Sequence, residues 1–311
     1  METYLGLDLG GTKLLIGQVD SQGNVLRHKK YDSRFRDQRD AAGIICSALD
    51  DYIGKVGFEG GTPAAMGVGL VGRVDAGSGI WLQIDPRRTD PIPLARDLSV
   101  KYGMPCHIDN DVKSATRAEQ LWGAGSRSRD FIYINVGTGI GAGIVVDGRL
   151  VRGSHFNAGE AGHMVTGVNV GIKCGCGRTD CVEMIASGMG LDACARYLKD
   201  RYSTSLVLPE GGRVVADEIF RLAQEGDELC SVLSDNAARG IADLIMNLVR
   251  TTDPDMIVLG GGIAAGSFMY EKVLSNLNRD TMRFVTGGVV ITALDPRFAG
   301  LLGAAAVAMD K

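Results

Sequence analysis

The sequence predicts an α/β fold of two related lobes that open onto a shared cleft. Apolar strand-like runs alternate with helically spaced stretches. A strand, glycine turn, strand unit at the N-terminus recurs near the middle of the chain. Tyr4-Leu-Gly-Leu-Asp-Leu-Gly-Gly-Thr parallels Phe131-Ile-Tyr-Ile-Asn-Val-Gly-Thr-Gly, so Asp8 matches Asn135, Gly10 matches Gly137 and Gly11 matches Thr138. Agreement of pattern, turn and order favours duplication over chance.

In chain order, Tyr4–Asp8 is a strand running into Gly10-Gly11-Thr12-Lys13, and Leu14–Val19 is its partner before a turn at Asp20–Asn24. Residues 41–56 carry apolar side chains at helical spacing. Ala65–Val71 and Cys106–Ile108 follow as buried strands, and a helix starts at Asp109-Asn110-Asp111. After the repeat at Phe131 come a long helix from Asp227 to Arg250, a strand Met256–Leu259 ending in Gly260-Gly261-Gly262 and a helix near Phe268–Leu277. A strand Val289–Leu294 and an Ala-rich helix from Gly300 close the chain. The expected lobes are residues 1–115, smaller and completed by the C-terminal helix 298–311, and residues 116–297.

Composition narrows the function. Glycine numbers 44 in 311 residues, about twice ordinary usage, with only 8 prolines and no Gly-X-Y period. Collagen and disordered classes are excluded, so the glycines serve turns and close approaches within a fold. The net charge of −4 offers no basic field for nucleic acid. No apolar tract reaches the roughly 18 residues of a membrane span. The acidic N-terminus lacks signal-peptide character, and seven cysteines do not suggest a disulfide framework. A cytoplasmic protein is expected.

Gly137-Thr-Gly139-Ile-Gly-Ala142 satisfies the dinucleotide fingerprint, yet that motif works only when a helix follows. Here an Asp147-Gly148 hairpin follows instead. No P-loop motif is present. Three glycine loops at strand ends, Gly10–Lys13, Gly137–Gly143 and Gly260–Gly262, are each either plain turns or phosphate cradles. Together they favour one nucleotide in the cleft, with Asp8 placed to hold magnesium through water.

Cys174-Gly-Cys176-Gly-Arg-Thr-Asp-Cys181 follows His163 by eleven residues. Three thiolates and an imidazole form a closed zinc set, hence a structural ion, with Gly175 and Gly177 letting the chain wrap it. Cys46, Cys106, Cys194 and Cys230 are scattered and read as small hydrophobes. Glu160 and Glu183 flank the cluster, either as surface acids or as acids fixed for vicinal hydroxyls. Asp109-Asn110-Asp111 is either a helix cap or a carboxylate aimed into the cleft at a strand's C-terminal end.

Assembled, these motifs resemble the ROK family (repressors, open reading frames and kinases), whose members share a duplicated ribonuclease-H-like, actin-like ATPase fold. The resemblance rests on Asp8-Leu-Gly-Gly-Thr-Lys13, Asp109-Asn-Asp111, Val136 to Gly143 with Gly159-Glu-Ala-Gly-His163, and the cysteine motif running to Glu183. It implies transfer of the ATP γ-phosphoryl, with magnesium, to a sugar hydroxyl, usually O6. Asp111 is implied as catalytic base and Asn110, Glu160, His163 and Glu183 as sugar contacts, His163 also binding zinc. Gly10, Gly11, Thr12, Lys13, Thr138 and Gly139 are implied phosphate contacts, and Gly260, Gly261 and Gly262 hold the nucleoside end. A homodimer or higher homo-oligomer is implied too.

Three positions depart from the family pattern. Asp180 stands where Gly is usual before the third cysteine. Gly67–Arg73 lacks a common proline, and some amino-sugar kinases share its Gly-Arg. Gln83-Ile-Asp85-Pro-Arg-Arg-Thr replaces an Asn-Leu segment, so Asp85, with Arg73 near it, is expected to shift specificity toward an amino- or otherwise substituted sugar. Two rival functions are a sugar-sensing DNA-binding regulator and a sugar-binding protein without catalysis. Acidic charge and a first strand only four residues from the start weigh against the former, and Asp8, Asp111 and the glycine loops against the latter.

Overall fold

The computed structural model describes residues 2–85 and 87–310; Pro86 of the Gln83–Thr89 segment, Met1 and Lys311 lie outside the described residues. The chain divides into two compact units. Unit 1 comprises Met1–Ser126, Arg152–Ala158 and Ala293–Lys311, and unit 2 comprises Arg127–Val151 and Gly159–Thr292.

Among the described residues, the strands of unit 1 are β1 (Thr3–Leu9), β2 (Lys13–Asp20), β3 (Val25–Asp32), β4 (Ala65–Leu70), β5 (Arg73–Asp75), β6 (Ile80–Gln83) and β7 (Cys106–Asn110). Five form a sheet of order β3-β2-β1-β4-β7, while β5 and β6 form a separate hairpin. The β1–β2 and β2–β3 pairs are antiparallel, and β1–β4 and β4–β7 are parallel. The helices are α1 (Gln38–Asp51), α2 (Leu94–Tyr102) and α3 (Asp111–Trp122). The helical spacing over 41–56 resolves into α1 followed by one π-helical turn, Tyr52–Val56. Helix α1 starts earlier than apolar spacing suggests because the Asp37 side chain accepts from the Asp40 amide, an N-cap.

Unit 2 repeats the plan. Strands β8 (Phe131–Val136), β9 (Ile140–Val146), β10 (Arg149–Leu150), β11 (Met256–Gly260) and β12 (Gly288–Ile291) form a sheet of order β10-β9-β8-β11-β12. Its strand order and its parallel and antiparallel pairings match those of the first sheet. The duplication expected from the sequence is therefore present at the level of topology. The β9–β10 hairpin turns at Asp147 (φ 51°) and Gly148 (φ 74°), both in the left-handed region, which confirms a hairpin where a dinucleotide fold needs a helix. Strand β12 is shorter than the expected Val289–Leu294.

Helices α4 (Glu183–Ala186), α5 (Gly188–Leu198), α6 (Ala216–Gln224), α7 (Glu228–Thr252), α8 (Ser267–Ser275) and α9 (Arg279–Met282) complete unit 2. The last helix, α10 (Ala299–Ala308), returns to unit 1. A boundary after residue 115 would cut α3, so the division falls after Ser126 instead. The physical reason is packing: α3 lies against α10, and a Cβ at Gly303 would come within 2.7 Å of the Ser114 backbone.

Part of the glycine excess works in this interface rather than in loops. A Cβ at Gly6 would lie 2.6 Å from the Leu301 carbonyl oxygen, and one at Gly67 would lie 2.0 Å from that of Ala304. The sheet surface is stripped of side chains so that an Ala-rich helix can rest on it backbone to backbone. Leu301 through Ala308 are all buried as a result.

Candidate active site

In unit 1 the parallel strands place two acids on one rung. Asp8 of β1 pairs in register with Gly69 of β4, and Gly69 with Asp109 of β7. Residues in register on parallel strands face the same side, so the two carboxylates flank a glycine at the strands' C-terminal ends. Asp8 is half-buried and abuts Gly300 at the start of α10, where a Cβ would meet its Oδ2 at 2.2 Å. Burial raises the Asp8 carboxyl above its ordinary value, and Lys13 opposes the rise.

Asp109 is fully buried. Its Oδ2 accepts from Arg152 Nε (3.1 Å) and Nη2 (2.8 Å), and its Oδ1 accepts from the Asn110 amide. Burial raises this carboxyl too, against the pull of Arg152. Asn110 is the N-cap of α3: its Oδ1 accepts from the Val112 and Lys113 amides, and its Nδ2 donates to the Gly72 carbonyl and to Asp111 Oδ1. The cap expected for the triad therefore falls on Asn110. Asp111 is the first residue of α3, half-buried, its Oδ1 also accepting from the Val112 amide at 2.9 Å. The N-terminal end of a helix favours a negative charge at this position.

The Gly10–Lys13 loop closes through the Gly10 amide on the Lys13 carbonyl, and Ser33 Oγ donates to the Gly10 carbonyl. Gly11, Thr12 and Lys13 are exposed. Arg73 and Asp85 do not pair with one another. Arg73 donates to Gln83 Oε1 (2.7 Å), its neighbour across β5–β6, whereas Asp85 is held by Arg87. The Arg87 hydrogen bonds lower the Asp85 carboxyl below its usual range.

In unit 2 the loop Gly137–Gly139 sits on the start of α5. The Gly188 and Met189 amides donate to the Gly137 and Thr138 carbonyls. Because a trans peptide points its N–H opposite to its C=O, the Thr138 and Gly139 amides face away from α5. Two donors side by side at an exposed turn make an anion cradle. Glu183 braces this loop from beneath: its Oε2 accepts from the Ile140 amide at 2.9 Å, and a Cβ at Gly139 would lie 2.6 Å from it. Sequence reasoning assigned Glu183 to a sugar; the structure also makes it the loop's support.

Gly260 and Gly261 have packing roles, since their Cβ atoms would strike Tyr133 (2.3 Å) and the Val136 carbonyl (2.3 Å). Only Gly262 faces open space. Gly159 and Gly162 lie against the β9 backbone, where Cβ atoms would meet the Ala142 and Ile140 carbonyls at 1.9 and 2.3 Å. This contact sets where Glu160 and His163 stand.

His163, Cys174, Cys176 and Cys181 converge, their ligand atoms within 4.8 Å of one another. The Cys174 Sγ to His163 Nδ1 distance is 3.4 Å and the Cys176 to Cys181 Sγ distance is 3.5 Å. Zinc–sulfur bonds of about 2.3 Å in a tetrahedron require edges near 3.8 Å, so the donor set fits zinc after slight expansion. His163 turns Nε2 the other way, 3.9 Å from Glu160 Oε2. Gly177 takes φ 91°, which fits its expected role, while Gly175 has ordinary φ and open space and is not required sterically. Asp180 takes φ 58°, and its carboxylate accepts from the Gly171 and Ile172 amides. The departure from glycine is thus accommodated, because Asp tolerates this region and bonds locally. Burial pushes the Cys106, Cys194 and Cys230 thiols up to about 12, in keeping with inert packing residues.

Residues 4–311 match the ROK family. The chain belongs to the ROK family. An N-acetylmannosamine kinase of Salmonella heidelberg is 30% identical over 98% of this chain and 98% of its own length. The ROK hexokinase of Thermus thermophilus superposes with a TM-score of 0.78 at 31% identity, covering 98% of this chain and 97% of that one. A ROK glucokinase from Streptomyces griseus, solved with glucose and AMPPNP, gives a TM-score of 0.76 at 28% identity, covering 98% of this chain and 99% of that one. The ROK resemblance and the two-lobed actin-like fold expected from the motifs are both established. Among the described residues, no helix is long and apolar enough to cross a membrane.

Proposed function

We propose that this ROK-family sugar kinase transfers the γ-phosphoryl group of ATP to O6 of a hexose or hexose derivative. The observation that carries the reading is Asp111 at the head of α3, directly after the strand end that shares a rung with Asp8. Asp111 accepts the O6 proton as the new O–P bond forms, and the bond from Pγ to the β-phosphate oxygen breaks to release ADP. The amides of Gly11, Thr12, Thr138 and Gly139 hold phosphate oxygens, with Lys13 adding charge, and Gly262 leaves room for the nucleoside end. Asp8 would hold the magnesium that accompanies ATP, a role suited to a half-buried carboxylate beside a glycine turn.

Glu160, His163 and the free oxygen of Glu183 orient sugar hydroxyls, with the amide of Asn110 beside the base. Zinc on His163, Cys174, Cys176 and Cys181 would supply no open position, so its contribution is to fix this loop. Arg73 and Asp85 remain the proposed discriminators among substituted sugars, each now with a separate partner. A coupled assay of ADP release against hexoses, N-acetylhexosamines and amino sugars tests the reading. Turnover of at least one sugar, abolished in Asp111→Asn with sugar binding retained, is the expected result. Turnover of none, or an unaffected variant, refutes it.

A further inference from the structure

The segment Arg152–Ala158 belongs to unit 1 although both its chain neighbours belong to unit 2. It is anchored at three points around Asp111. Arg152 forks onto Asp109, Lys113 Nζ donates to the Phe156 carbonyl (3.3 Å), and Arg73 Nη1 donates to the His155 carbonyl (3.3 Å). Asp109 and Lys113 stand two residues on either side of Asp111, and Gly72, next to Arg73, accepts from the Asn110 amide. The segment is therefore a strap laid across the head of α3. It closes on itself through the Phe156 amide on the Gly153 carbonyl and the Ala158 amide on the Arg152 carbonyl.

Phe156 is anomalous twice. Its φ is 59°, and the other non-glycine residues at positive φ among those described are Asp147, Asp180 and Asp253, of the type that tolerates this conformation. For a bulky aromatic the same backbone is a true outlier. Its half-buried ring also stands outside the three hydrophobic clusters of the two units. Neither backbone preference nor core packing accounts for Phe here, and strain of this kind concentrates at ligand clamps. The side chains that anchor the strap around it are charged (Arg73, Asp109, Lys113, Arg152), suited to hydroxyls but not to a methyl group.

We infer that Phe156 is a specificity-determining residue of the sugar site, its ring receiving the acyl methyl of an N-acylhexosamine. The inference rests on the reading of Asp111 as the kinase base. One methyl group placed in an apolar contact is worth about 10-fold or more in discrimination.

The test is steady-state kinetics of the full chain and of Phe156→Gly and Phe156→Leu with N-acetylmannosamine, N-acetylglucosamine and glucose. Glycine suits the backbone at this φ, so Phe156→Gly keeps or raises the melting temperature. It is expected to lose about 10-fold or more in kcat/KM for an N-acylhexosamine, mainly through KM, with glucose changed less than about 3-fold. Phe156→Leu keeps apolar volume and restores most of the loss, which also covers a failure of the glycine variant to fold. Equal losses on all sugars, or an unchanged ratio, overturn the inference. So does a wild-type enzyme that phosphorylates glucose but no N-acylhexosamine, a result that leaves the kinase reading intact. Turnover of no sugar at all would strike the proposed function instead.

Discussion

The two sheets share strand order and pairing but differ at the rung where their central strands end. In unit 1 that rung reads Asp8, Gly69, Asp109 across β1, β4 and β7; in unit 2 the matching positions of β8 and β11 are Asn135 and Gly260. Glycine keeps the middle strand in both. The acid is kept in one unit and replaced by an amide in the other. The loops diverge in step: Gly10–Lys13 has Lys13 to offset the half-buried carboxylate of Asp8, whereas Gly137–Gly139 is one residue shorter and is seated on the head of α5. The two units thus share the cradle, and the acid at the end of the central strand stands in only one of them.

The largest expected effect comes from removing the proposed base, Asp111 of unit 1. Asp111→Asn should cut kcat by about 100- to 10,000-fold, the usual worth of a positioned base, while calorimetry shows sugar affinity retained. Next is the rung itself. Asp8→Asn turns unit 1 into a copy of unit 2 there, and it should lower kcat by at least ~10-fold and raise the magnesium concentration needed for half-maximal rate. The reciprocal Asn135→Asp puts an acid at the half-buried matching position, and a lowered melting temperature at pH 7 that recovers below about pH 5 is expected. If both exchanges were silent, the asymmetry of the rungs would have no functional meaning.

Zinc removal sharpens the contrast from the other side, because the cluster lies in unit 2 alone. Purified protein should contain about one zinc per chain, and chelation or Cys181→Ser should raise the sugar KM and lower the melting temperature, with the KM for ATP changed far less. A metal content near zero in active protein would remove the site. The smallest effects separate glycines that touch something from one that does not. Gly139→Ala drives a Cβ against Glu183 and should cost several-fold in kcat/KM, whereas Gly262→Ala, facing open space, should stay within about 2-fold on stability. Thermal melts and kinetics on the pair decide it.

Much of this is legible in the sequence. The repeat at Phe131, the hairpin at Asp147-Gly148 and the cysteine cluster each follow from local chemistry: a turn type, a strand period, a ligand spacing. The Asn110 cap was legible as one of two alternatives, and the triad alone did not say which residue would serve it. What stayed hidden is what depends on partners distant in sequence. Gly6 and Gly67 resembled strand residues, and only α10, more than 230 residues away, explains their lack of a side chain. Arg152 carried no motif, yet it is the counter-charge of the buried Asp109. The pairing of Asp85 with Arg87 rather than Arg73 is a choice among nearby cations that spacing cannot make.

The sequence by itself determined the repeated α/β unit and the zinc-type donor set, and it supplied the acids now proposed for phosphoryl transfer. These are properties of short segments, set by backbone sterics and side-chain type. Tertiary structure alone decided that Asp8 and Asp109 share a rung across Gly69, that Glu183 underpins the Gly139 loop, and that Phe156 is held in a conformation it would not choose. Each of these depends on register and packing between elements far apart in the chain, which no local pattern encodes.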